Sequence, residues 1–262
     1  MHTTRRNAIL GVLAAGISLQ PLVGCAAPAP HNPGITRVYV MGLIHRNHRQ
    51  SESYSLAVLE AAVRKAAPDV ILTEIPPDRI DKALNSFRET GEIDEPRTQV
   101  FPEYTDVIFP LSREMPIRIF GTAGWTQAIA DDRRAALAKI ENDPARAKQW
   151  EEHLAARRAY SRAVAGRGDD PVFIHTDEFD RLVEASRTPY QRYFDEDLGA
   201  GGWTQINAAH TANINAALDT LSGQGLTVLV TYGSAHKYKI LESLSQRDDV
   251  ELLDTRALFE GG

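Results

Sequence analysis

Apolar and polar positions alternate along this chain in two rhythms, and the rhythms themselves alternate. Short apolar runs of strand character are followed by longer segments in which apolar residues return every three or four positions. From Ile35, the run Arg37–Met41 predicts a strand. A helix is expected from near Ser53, with Leu56, Leu59, Val63 and Ala66 on its inward face and Pro68 ending it. Asp69–Thr73 predicts the next strand, which closes a βαβ unit of about 40 residues. Such crossovers are parallel and right-handed. A second helix is expected over Asp78–Arg88, stopped by Gly91. Pro96, Pro102 and Pro110 make residues 92–114 irregular, with a short helix after Glu103 covering an end of the sheet.

Ile117–Phe120 predicts a third strand, and the turn Gly121-Thr122-Ala123-Gly124-Trp125 after it is expected at a pocket rim. Residues 126–200 read differently. Asp131–Gly166 is rich in Ala, Arg and Glu with a break at Pro144, which predicts two long charged helices, and Thr176–Ala185 predicts another. These helices are either solvated elements or a cap over the strand ends. Gly199–Gly202 reads as a flexible joint. A helix over Trp203–Leu221, a strand over Thr227–Tyr232, a helix over Lys237–Leu244 and a strand over Val250–Leu253 complete the pattern. The fold class is α/β: a largely parallel central sheet flanked by helices, with residues 126–200 as a helical insertion in one domain, 35–262.

Two of the strands end alike. Val38–Met41 runs into Gly42-Leu43-Ile44-His45, and Thr227–Tyr232 runs into Gly233-Ser234-Ala235-His236. The Asp69–Thr73 strand delivers Glu74, followed by Pro76 and Pro77. Open α/β sheets bind ligands at the carboxyl ends of their strands. Gly42 and Gly233 supply the positive φ or close backbone approach that a sharp turn there needs. Two imidazoles and a carboxylate suit a metal centre or general acid–base work. Alone, each histidine would also serve as a structural imidazole, and Glu74 as a helix cap, although Asp78 is better placed to cap.

The helix before the second motif runs antiparallel to its strands, which puts Asn207 and His210 at the site end. His210 shares a face with Ile206, Ile214 and Leu218, so it points inward, into the core or behind the site. His48 is a further ligand or a solvated loop residue. Tyr232 lends its phenol to the pocket or fills the strand. His175, beside Asp177 and Glu178, looks like a metal site but sits at a helix start, where capping is expected. No G-x-S-x-G elbow, Walker loop, G-x-G-x-x-G or H-E-x-x-H motif occurs, and Ser234 has no assignable base.

The first 24 residues read as an export signal. Arg5-Arg6 precede an apolar stretch from Ala8 to Leu19, shorter than the roughly 20 residues a membrane span needs. Leu22-Val23-Gly24-Cys25 resembles a bacterial lipobox, which implies cleavage before Cys25 and its lipidation. Thr4-Arg5-Arg6 loosely resembles a twin-arginine signal. Ala26 after the cysteine resembles the outer-membrane sorting pattern of Gram-negative lipoproteins, facing the periplasm. Residues 25–34 form a Pro-rich tether. Cys25 is the only cysteine, so there is no intrachain disulfide. Removing the signal moves the net charge from −6 to about −8, which argues against nucleic acid and against electrostatic docking on anionic lipid. The membrane is reached through the lipid anchor only, and the oligomeric state is not readable.

The residues Gly42-Leu43-Ile44-His45, Pro68-Asp69-Val70-Ile71-Leu72-Thr73-Glu74 and Gly233-Ser234-Ala235-His236, in that order, resemble the TraB/GumN and Tiki superfamily. Erythromycin-esterase-like and ChaN-like proteins are more distant relatives. The likeness covers roughly 36–125 and 203–256. It implies an α/β fold and a site of divalent metal (Mn²⁺, Co²⁺ or Zn²⁺) or catalytic histidine built from His45, Glu74 and His236. Tiki-like members resemble metalloproteases, esterase-like members activate water with His and Glu, and ChaN-like members bind haem. The Arg-Asn pair of many relatives falls here on Ile206-Asn207, so the arginine is absent. The expectation is a lipid-anchored, metal-dependent hydrolase of the cell envelope acting on a peptide or small molecule, most simply at a peptide or amide bond. The alternatives are a haem- or other ligand-binding lipoprotein without turnover, and a metal-free esterase.

Overall fold

The computed structural model describes residues 34–260, so Cys25, the export signal and the tether up to position 33 lie outside the described residues. The described residues form one compact unit. Its centre is a five-stranded sheet: β1 (Thr36–Leu43), β2 (Val70–Thr73), β3 (Arg118–Gly121), β4 (Thr227–Gly233) and β5 (Val250–Leu252). The strands lie in the order β3-β2-β4-β1-β5, and every pairing is parallel. β4 is therefore inserted between the two strands of the first βαβ unit. The carboxyl ends of β1, β4 and β2 stand side by side where the chain's winding reverses, the place at which such sheets bind ligands.

Both faces of the sheet are covered, which is why β2 and β4 read as continuous apolar runs. Alternate residues serve opposite faces. Val38, Val40, Val70, Leu72, Val228 and Val230 pack with Ile214, Leu218 and Leu221 of α8 (Trp203–Leu221) and with Ile240 and Leu244 of α9 (Lys237–Leu244). Met41, Leu43, Ile71 and Leu229 face α1 (Leu56–Ala66), α2 (Pro77–Thr90) and α3 (Phe109–Glu114). Truncating one of these fully buried leucines to alanine costs about 2–5 kcal/mol.

The insertion contains α4 (Gln127–Glu141), α5 (Ala147–Ala163), the short α6 (Pro171–Ile174) and α7 (Asp177–Leu198). Ile140, Tyr190, Phe194 and Leu198 pack with Trp203 at the start of α8, so the insertion has a small core tied to the site end of that helix. No helix among the described residues is long and apolar enough to cross a membrane.

Local chemistry moves several boundaries. The first helix begins at Leu56 rather than near Ser53, because Ser55 Oγ accepts the Val58 N–H at 3.3 Å as a cap. Residues 45–49 form a 3₁₀ turn instead. Gly91, with φ of 81°, ends α2 as expected. The segment after Pro102 is a π-helical turn over Glu103–Ile108 leading into α3, and it plugs the carboxyl edge of the sheet. α7 extends well past Ala185, through Pro189, because Ser186, Tyr190, Phe194 and Leu198 continue its buried face. Gly199–Gly202 is a packed turn and not a loose joint. A Cβ on Gly201 would meet Arg133 Cβ at 2.8 Å, and one on Gly202 would meet the Asp195 carbonyl at 2.8 Å.

Candidate functional site

Glu74 leaves β2 with its backbone N–H bonded to the Tyr104 hydroxyl at 2.8 Å, and that hydroxyl donates to the Thr231 carbonyl of β4 at 2.9 Å. Tyr104, from the π-helical turn, thus ties the two strand ends together. The Glu74 carboxylate turns toward β4, where Oε2 accepts the Gly233 N–H at 2.7 Å. Burial raises its pKa, against the opposing field of His45.

His45 sits on one side of this carboxylate, Nε2 3.8 Å from Glu74 Oε2. Its backbone has φ of 52°, a left-handed conformation that costs a non-glycine residue about 1–2 kcal/mol. His48 holds the loop in that shape. Its Nε2 accepts the Ile44 N–H at 3.2 Å and its Nδ1–H donates to the Tyr54 carbonyl at 2.7 Å, so both nitrogens are used. His48 is buried and anchors the loop; it is neither a solvated residue nor free to bind a ligand. His45 itself donates Nδ1–H to Glu103 Oε1 at 2.6 Å. Burial lowers the pKa of His45, but the Glu103 bond and the charges of Glu74 and Glu103 outweigh it and leave the value raised.

His236 approaches from β4, Nε2 4.0 Å from Glu74 Oε1. Asn207 Nδ2 donates to the Trp203 carbonyl at 2.7 Å, which turns its Oδ1 toward His236. Nδ1–H of His236 donates to that oxygen at 2.8 Å. Trp203 stacks on the imidazole with centroids 4.8 Å apart. Burial depresses the His236 pKa well below the ordinary histidine value, so the ring is neutral. α8 places both Asn207 and His210 against His236, the two imidazoles with ring centroids 4.9 Å apart.

His210 lies closer in than its place in the sequence implied. Glu74, His210 and His236 each offer a donor atom within 4.8 Å of the other two, close enough to hold a metal ion. His45 flanks this triad across Glu74. Proton positions separate the three histidines. His210 Nδ1 accepts the Gly124 N–H at 2.8 Å, so its neutral ring carries the proton on Nε2. Burial lowers its pKa to about 4, which keeps the ring neutral, and Nε2 is buried with no partner. His45 and His236 are the opposite tautomer: Nδ1–H is anchored on an oxygen and Nε2 presents a lone pair toward the same carboxylate. Anchoring of that kind is characteristic of metal-ligating histidines. Glu74, His210 and His236 are thus the set close enough for a metal ion; the proton on His210 Nε2 leaves Glu74 and His236 as its free acceptors, and His45 offers a further lone pair from across Glu74, at 3.8 Å.

The remaining expected residues fall into place around these. Gly233 passes so close to His45 that a Cβ would lie 2.5 Å from its Nε2. Gly42 donates its N–H to His175 Nε2 at 2.9 Å, and His175 Nδ1–H donates to the Pro171 carbonyl at 2.6 Å. His175 therefore ties the insertion to β1, while Thr176 caps α7 in its place. Tyr232 is fully buried and bonds Thr122 Oγ1 at 2.8 Å; its ring edge meets His210, so it is wall and not a free phenol. Glu103 and Tyr104 had no role assigned from the sequence. The one available signal was a glutamate directly after Pro102, on the same turn as the apolar Tyr104, Val107 and Ile108.

No protein-family model matches the chain, and neither a curated protein nor a solved structure matches it significantly.

Proposed function

We propose that this chain is a hydrolase, most simply of peptide or amide bonds, with its centre at the carboxyl ends of β1, β2 and β4. The observation that carries the reading is the matched pair of histidines. His45 and His236 each fix Nδ1–H on a buried oxygen and aim Nε2 at Glu74, 3.8 and 4.0 Å away, distances too long for hydrogen bonds. His45, Glu74 and His236 would hold a divalent ion (Mn²⁺, Co²⁺ or Zn²⁺), which when bound supplies acidified water and carbonyl polarisation. The chain's own contribution is electrostatic and positional. His210 Nε2–H is a fixed donor for the oxygen on which negative charge develops, a contact typically worth 10²–10³ in rate. Glu103 and Asn207 hold the two rings in the required tautomer, and Trp203 shields His236 from water.

A metal-free reading has one observation in its favour. The 2.6 Å Glu103–His45 bond raises the basicity of His45, so Nε2 would accept a proton from a water held by Glu74. Chelation separates the two readings. Peptide and ester hydrolysis by the detergent-solubilised full chain is measured before and after dialysis against EDTA. Loss of turnover, restored by one of the three metals, supports the metal-dependent reading; unchanged turnover supports the metal-free one. Activity that survives both His45→Ala and His236→Ala overturns both. Attachment to the cell envelope through a lipid on Cys25, and the likeness to the TraB/GumN and Tiki superfamily, stand with this proposal on sequence motifs alone.

A further inference from the structure

A cavity of about 450 Å³ opens beside the site, and its wall is basic although the chain as a whole is acidic, with net charge −6. Arg97, Arg133 and Arg134 line it together with Trp125 and Leu137, against a single acid, Glu141. Arg134 is paired with Asp131 at 2.8 Å on the exposed side. Arg97 and Arg133 are different. Neither has a carboxylate within salt-bridge distance among the described residues; Arg133 Nε donates only to the Tyr190 hydroxyl, at 3.1 Å. Arg97 Nε is buried with no partner. Both side chains are partly buried, and a guanidinium nitrogen taken from water without a partner is costly unless something else compensates it.

The cavity is separated from the reactive groups by its own wall residue Trp125. Trp125 in its wall lies 6.3 Å, centroid to centroid, from the ring of His210. The charge of Arg97 is felt at both Glu74 and His210, and that of Arg133 at His236. A smaller cavity of about 130 Å³ shares Arg97 and Trp125 and runs along Pro76 and Glu95 at the end of β2. Arg97 therefore borders both cavities, and its fork has no carboxylate partner among the described residues. A planar guanidinium is the side chain best matched to the two oxygens of a carboxylate or phosphate.

We propose that the substrate carries an oxyanion group, carboxylate or phosphate, which Arg97 and Arg133 bind in the Trp125 cavity while the scissile bond lies over Glu74, His210 and His236. The placing of the scissile bond rests on the hydrolase reading; the anion pocket stands without it. The test is isothermal titration of the full chain in detergent with sodium succinate and with sodium phosphate, against sodium chloride at the same ionic strength. At least one oxyanion binds where chloride does not. Arg97→Gln and Arg133→Gln each weaken that binding by about tenfold or more. Arg97→Lys, which keeps the charge without the fork, falls between. Binding of succinate alone assigns a carboxylate, and binding of phosphate alone assigns a phosphate ester or anhydride. The proposal is overturned if neither oxyanion exceeds chloride, or if folded Arg97→Gln and Arg133→Gln proteins bind as the parent does. Metal content of the same preparations reports on Glu74 and its histidines separately, so failure of the pocket and failure of the centre are distinguishable.

Discussion

Gly233→Ala places one methyl group where β4 passes His45, and the outcome can be worked from the contacts. Gly233 has φ of −48°, which any residue adopts, so the backbone is not strained by the change. The added Cβ lies 2.5 Å from His45 Nε2, 3.2 Å from His45 Cε1 and 3.3 Å from Glu74 Oε2. Restoring an ordinary 3.4 Å contact to Nε2 needs a displacement of about 0.9 Å. Glu74 is buried and held by the Gly233 N–H, whereas the His45 side chain is about one-third exposed, so His45 is the group that moves. Its motion stretches the Glu103 bond and carries Nε2 away from the carboxylate. Overpacking costs about 1–3 kcal/mol, which for a chain of this size lowers Tm by roughly 3–10 °C. Divalent-metal affinity falls further, by about 10–100-fold, as when a ligand loses its support. Gly42→Ala is the control. Its Cβ meets Ile174 and Ser234 at 3.1 Å but neither His45 nor Glu74, so stability falls while metal affinity holds. Differential scanning calorimetry and metal titration read both effects. A Gly233→Ala protein that melts and binds metal like the parent refutes the claim that this glycine makes room for His45.

Further outcomes follow from the same contacts. Asn207→Leu removes the acceptor that fixes His236, and metal affinity is expected to drop about 10–100-fold with little change in the far-ultraviolet circular dichroism spectrum. His48→Leu leaves the Ile44 N–H and Tyr54 carbonyl unpaired, at a cost of about 1–3 kcal/mol each at most, seen as a lower urea midpoint. His175 has its pKa lowered to about 3 by burial, so the unfolded chain binds a proton that the folded chain refuses. Stability is then lost as pH falls from the unfolded histidine value of about 6.5 toward 3, and His175→Gln flattens the fall in Tm over that window. His45 has the opposite sign. Its raised value contributes stability below about pH 6.5 that disappears as pH rises through the folded pKa, and His45→Gln removes that contribution.

What could be read in advance follows from which interactions are local. His45, Glu74 and His236 were legible because apolar runs mark strand ends, and parallel strands bring those ends to one edge. Asn207 and His210 were legible through the direction of the helix before β4. Glu103 was not, because its bond to His45 joins positions 58 apart through a π-helical turn that carries no strong pattern. The two roles of His48 and His175, each saturated by backbone groups, could not be told from ligand roles by residue type. α7 runs past the expected end at Ala185, through Pro189, because Tyr190 and Phe194 continue its buried face. Nor does spacing say which histidine nitrogen carries its proton. That depends on Gly124, a loop residue 86 positions from His210.

The most direct measurement is elemental analysis by mass spectrometry of the full chain, purified in detergent without a metal-binding tag and loaded in turn with Mn²⁺, Co²⁺ and Zn²⁺. The assignment of tautomers predicts near-stoichiometric metal in the parent, loss of it in His45→Ala and in His236→Ala, and retention in His210→Gln. No metal in the parent after loading, or metal lost with His210→Gln but kept with His45→Ala, contradicts it.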